Sequence, residues 1–92
     1  MSVTLVVPGP LRDLNGGRSR VGLDSARTVR QAFDELRGRN PALWDRIFTE
    51  QRELRPHVNV FVGRTDIRWS GGLETPLPSG SELVVLPSVS GG

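Results

Sequence analysis

The chain has 92 residues, 36% of them hydrophobic, enough for one small domain with a single core. It has no cysteine, which excludes disulfides, zinc–thiolate sites and cysteine nucleophiles. All 12 basic residues are arginine and are scattered among 10 acids for a net charge of +2, so the basic cluster with interleaved aromatics that marks a nucleic-acid binder is missing and no nucleic-acid partner is expected.

The first residues, Met1 to Leu5, carry no basic leader ahead of an apolar run. No apolar stretch approaches the roughly 20 residues needed to span a bilayer. A cytoplasmic protein with no membrane partner is expected. Val3 to Val7 is a β-branched apolar run, a strand stopped by Pro8-Gly9-Pro10. After Leu11-Arg12-Asp13-Leu14, the step Asn15-Gly16-Gly17 suits positive φ and predicts a hairpin tip. With no P-loop lysine and no GxGxxG, the glycine pair is not read as a phosphate cradle. Ser19 to Leu23 then returns as a second strand, with Val21 and Leu23 on one face.

Thr28 followed by Gln31 fits a capping box. Val29, Ala32, Phe33 and Leu36 behind it form an i, i+3, i+4, i+7 stripe, so a helix lays one apolar face on a sheet and is expected to end at Gly38. Asn40-Pro41 is a second helix start, and Leu43, Trp44, Ile47 and Phe48 repeat at helical spacing behind it. Trp44 is read as sealing the end of the core. Thr49 to Pro56 is polar and charged, a loop.

From His57 to Val62 the pattern alternates: Val58, Val60 and Val62 face one way, His57, Asn59 and Phe61 the other. His57 is the one histidine, and without cysteine or a carboxylate cluster it has neither a metal set nor a nucleophile to serve. It is read as a surface strand residue. Gly63 to Asp66 is a turn, Ile67-Arg68-Trp69 a short strand, Ser70 to Leu73 a bend, and Pro76 to Ser81 a loop. Glu82 to Leu86 is the last strand, apolar on both faces. Helices are available for one side of the sheet only. Phe61, Val84 and Leu86 are therefore expected on an open face, as a docking patch for a partner. The order ββαβ(β)β, with the last strand beside the first, is an α+β β-grasp arrangement: a mixed sheet of four to five strands with one main and one short helix.

The domain is read as residues 1–87, followed by a flexible tail, Ser88 to Gly92. Pro87 lacks a donor and helps end sheet pairing. Glycine has no side chain, so Gly91-Gly92 can thread a slot too narrow for other residues and leaves its carboxylate unshielded. A frayed end would read the same way. Extended, the five tail residues reach about 17 Å at roughly 3.4 Å per residue.

Taken together, "VNVFV", "IRW" with "SGGL", "GSEL" and "LPSVSGG" make the chain similar to the MoaD/ThiS family of ubiquitin-like sulfur carriers. Within it, "RWSGGL", "LPSVSGG" and the early "LRDLNGG" most resemble the cysteine-biosynthesis carrier. The usual family loop "DGDEV" is thinned of acids here, as Ser79-Gly80-Ser81-Glu82-Leu83. The resemblance implies a ubiquitin-like fold and a carrier with no catalytic residues, cofactor or metal of its own. Gly92 would bear the adenylate and then the thiocarboxylate. Val89, Ser90 and Gly91 would thread the partner's active site, with Val89 as the one larger anchor. The implied partners are an E1-like adenylating enzyme that uses ATP, a sulfur donor (sulfide or a persulfide-bearing enzyme) and an acceptor biosynthetic enzyme. A molybdopterin synthase small subunit and a ubiquitin-like protein modifier are the alternatives.

Overall fold

The computed structural model describes residues 2–87, and the tail positions Val89, Ser90, Gly91 and Gly92, with Ser88, lie outside the described residues. Five strands form one mixed sheet: β1 (Val3–Val6), β2 (Arg20–Leu23), β3 (Val58–Val62), β4 (Thr65–Asp66) and β5 (Glu82–Pro87). Their order is β2-β1-β5-β3-β4. The helices α1 (Val29–Arg39) and α2 (Pro41–Ile47) stand between β2 and β3 in the chain. This is the β-grasp, ubiquitin-like fold expected from the element order.

β1 pairs antiparallel with β2 and parallel with β5, while β3 pairs antiparallel with both β5 and β4. The sheet's inner face carries Val3, Leu5, Leu23, Val60, Leu83 and Val85, all buried. The predicted stripe of α1 (Val29, Ala32, Phe33 and Leu36) is buried with them, as are Leu43, Trp44 and Ile47 of α2. Trp44 stacks on Phe48 with ring centroids 5.0 Å apart and planes within 5°. Phe48 in turn meets Phe33 edge-on at 4.9 Å. Trp44 therefore seals the core, as its spacing implied.

Side-chain oxygens start both helices. Thr28 Oγ1 accepts from the Gln31 N–H at 3.2 Å, and Gln31 Oε1 accepts from the Arg27 N–H at 2.8 Å. Asn40 serves two helices: its N–H donates to the Leu36 carbonyl at 2.7 Å, closing α1, while its Oδ1 accepts from the Leu43 N–H at 3.1 Å, opening α2. Its amide also donates to the Leu14 carbonyl at 2.7 Å.

Four local expectations are corrected. First, α1 does not end at Gly38 but runs through it to Arg39. Pro41 disfavours helical geometry at Asn40, and that is where the helix stops. Second, the β1–β2 connection is no tight hairpin, because Gly9–Asn15 winds into a 3-10 helix with proline in its first turn. Gly16 and Gly17 do take positive φ (61° and 78°), with Gly16 as its left-handed cap. Third, Ile67–Trp69 is a 3-10 turn rather than a strand. Asp66 Oδ1 accepts from the Arg68 N–H at 2.9 Å and thereby starts the turn, leaving the short pairing strand one step earlier at Thr65–Asp66. Fourth, His57 is exposed but sits in the turn before β3.

Among the described residues no buried side-chain polar atom lacks a partner. Thr75, the buried polar residue of the core, donates to the Gly72 carbonyl at 2.7 Å and meets Ser70 Oγ at 3.1 Å. No helix among the described residues is long and apolar enough to cross a membrane.

Candidate functional site

The tail follows the central strand of the sheet in the chain. β5 is third of the five strands, bonded to β1 on one side and β3 on the other. Its residues alternate: Leu83 and Val85 are buried under the helices, while Val84 and Leu86 point to the uncovered face. Pro87 is the last described position and stands opposite Val58.

The register builds a continuous row across the uncovered face. Arg20 lies opposite Val6, Val6 beside Val84, Val84 opposite Phe61, and Phe61 opposite Asp66. Leu86 is the next outward residue of β5, beside Asn59, and is 47% exposed. Phe61, Val84 and Leu86 thus share one face, as expected for a sheet with helices on one side only. Val6 joins them, and the sequence reading missed it: Val3 to Val7 is apolar at every position but Thr4, so composition hides which residues turn outward.

Charged pairs border this apolar row. On one side Arg20 meets Glu82 at 2.9 Å. On the other, Arg68 meets Asp66 at 2.7 Å and donates to Asn59 Oδ1 at 2.9 Å. Hydrogen bonds from the Arg68 side chain, and then from its backbone N–H, hold the Asp66 carboxyl below its ordinary value of 3.8. The same contact raises the Arg68 guanidinium. Trp69, next in the chain, is 83% exposed. It too escaped the sequence reading, which placed it in a strand. Among the described residues there is no group of three or more potential metal ligands. An apolar strip rimmed by fixed charges is suited to docking a partner of complementary shape.

Residues 5–92 match the ThiS family. The chain is 32% identical over 94 residues to the sulfur carrier protein CysO of Mycobacterium tuberculosis, with all of both chains covered. It is 37% identical over 83 residues to small archaeal modifier protein 1 of Haloferax volcanii, covering 89% of this chain and 91% of that one. Its fold superposes on a chain of the Amycolatopsis orientalis BexX/CysO complex with a TM-score of 0.85 and 36% identity, covering 98% and 99% of the two chains. The chain belongs to the ThiS family of ubiquitin-like sulfur carriers.

Proposed function

We propose that this carrier bears its sulfur on Gly92. An E1-like partner would use ATP to convert the Gly92 carboxylate into an acyl-adenylate, releasing pyrophosphate. Sulfide would then displace AMP and leave a thiocarboxylate directly. A persulfide-bearing enzyme would instead displace AMP to give an acyl disulfide, and a second thiol would release the thiocarboxylate by forming a disulfide with the donor's cysteine. An acceptor enzyme would take that sulfur into a biosynthetic product, cysteine or another sulfur-containing metabolite. The protein is substrate and carrier in this scheme, and the partner enzyme supplies the catalysis and binds the ATP that it consumes.

The observation that carries this reading is the placement of β5. Its inward residues anchor it in the core, its outward residues lie in the apolar row with Phe61, and its end leads directly into Ser88-Val89-Ser90-Gly91-Gly92. A partner docked on Phe61, Val84 and Leu86 would hold the domain while the tail, about 17 Å long if extended, enters its active site. Co-expression with the activating enzyme and a sulfur source tests the scheme. Intact mass should show one oxygen exchanged for sulfur, and deleting Gly92 should abolish that change. A full-length chain that stays unmodified by activating enzymes of this class would reject it.

The likeness to small archaeal modifier protein 1 supports a second reading, in which the same adenylate ends in an isopeptide bond to another protein. The chain has no lysine, so it could not build lysine-linked chains of itself. A blot of a lysate for higher-mass adducts of the tagged chain separates the two outcomes.

A further inference from the structure

On the helical layer, across the sheet from Phe61, Val84 and Leu86, lies a cleft of about 200 Å³. Its floor is apolar: Phe33, Trp44, Phe48 and Leu73. Its rim carries the guanidinium groups Arg30, Arg37 and Arg52 with the carboxylate Asp34. Nothing in the sulfur-transfer scheme uses these residues.

The three arginines are not equivalent. Arg30 is neutralised by Glu74 at 2.6 Å. Arg37 lies over the Trp44 ring, 4.8 Å from its centroid, and among the described residues its guanidinium makes no hydrogen bond or ion pair. The Arg52 guanidinium has no hydrogen-bond or ion-pair partner among the described residues. Arg52 is also the non-glycine residue with positive φ among the described residues, at 63°. It occupies the left-handed position of a tight turn: its N–H donates to the Thr49 carbonyl at 2.9 Å, and the Thr49 N–H donates to the Glu53 carbonyl at 2.8 Å. Glycine is the usual residue at such a position, and non-glycine residues held there concentrate at functional sites.

We propose that this cleft is a second docking site, which takes a glutamate or aspartate side chain from an acidic, apolar peptide segment of a partner protein. Arg37 and Arg52 receive the carboxylate, and the floor receives the neighbouring apolar side chain. Size selects a side chain over a metabolite: the cleft is smaller than the roughly 300–1,000 Å³ usual for small-molecule sites. The floor rings do not offer a stacking platform for a nucleotide base, because Trp44 and Phe48 are buried against each other and Arg37 covers Trp44. Because the site lies on the other side of the sheet from Phe61, one partner here and another on the sheet can be held together.

The test uses the full-length, isotope-labelled chain, titrated with a capped hexapeptide of alternating leucine and glutamate and followed by NMR. Saturable shifts are expected at the Trp44 indole and across residues 49–53, with none for the glutamine counterpart. Arg52→Gly should weaken binding about tenfold, the loss of one charge-assisted contact, while leaving the melting temperature unchanged or higher. Phe61→Ser should leave this binding intact, and Arg52→Gly should leave thiocarboxylate formation intact, so the two surfaces fail independently. The proposal is overturned if the glutamate peptide gives no saturable shift, if the glutamine peptide binds as tightly, or if Arg52→Gly binds like the parent chain. Inorganic phosphate saturating the same resonances as tightly as the peptide would also overturn it, since the cleft would then be a small-anion site.

Discussion

Phe61 occupies the middle of the apolar row, between Val84 and Asp66. Placing aspartate there would set two carboxylates directly opposite each other, which destabilises a sheet whether or not a partner binds. Phe61→Ser is the cleaner probe. It should cost the domain about 2 kcal/mol, less than a core phenylalanine would, because the ring is only partly buried on the uncovered face. Binding to the activating enzyme should fall tenfold or more if the ring is an interface anchor, at roughly 1.4 kcal/mol per decade. Calorimetric titration beside thermal unfolding separates the two effects, and a variant that unfolds outright would mean that the ring supports the core. Asp66 answers to pH instead. Its folded pKa lies below 3.8, so its pairing with Arg68 stabilises the fold above that value and is lost as pH falls through the folded pKa. Asp66→Asn keeps an oxygen to accept from the Arg68 N–H but removes the charge. Acid unfolding of this variant should show a shallower loss of stability below pH 3.8 than the parent chain.

The elements of the chain are held by a few side chains placed between them. Asn40 closes α1, opens α2 and reaches the Leu14 carbonyl in the β1–β2 connection. Thr28 caps α1 alone. Asn40→Ala should therefore cost more than Thr28→Ala, about 2 against about 1 kcal/mol, read as urea midpoints. Equal losses would mean that the link to Leu14 contributes nothing. Both caps were legible in the sequence, because a short polar side chain before an apolar helical period has one favourable use. The end of α1 and the 3-10 turn at Ile67–Trp69 were not. Gly38 permits a stop without requiring one, and "IRW" reads as a strand until Asp66 Oδ1 bonds the Arg68 N–H.

In the molecule as a whole, β5 joins the core to the tail, and its two faces should respond differently to the same change. Leu83 is fully buried and Leu86 is 47% exposed. Leu83→Ala should cost about 2–5 kcal/mol, whereas Leu86→Ala should cost less than about 1 and act on partner affinity instead. Thermal unfolding of the pair checks this, and similar losses would show that both faces are covered. The sequence by itself determined the β-grasp order of elements, the helical stripes and caps, and a Gly-Gly end with no thiol in the chain, because these follow from local periodicity and residue chemistry. It could not say which apolar residue of β1 turns outward, because a strand apolar on both faces has no alternation to read. That was decided by the tertiary structure. Two helices cover one side of the sheet, and the register then brings Val6, Val84 and Phe61 into one row on the other. The same packing brings Arg37 and Arg52, fifteen residues apart in the chain, to the rim of one cleft.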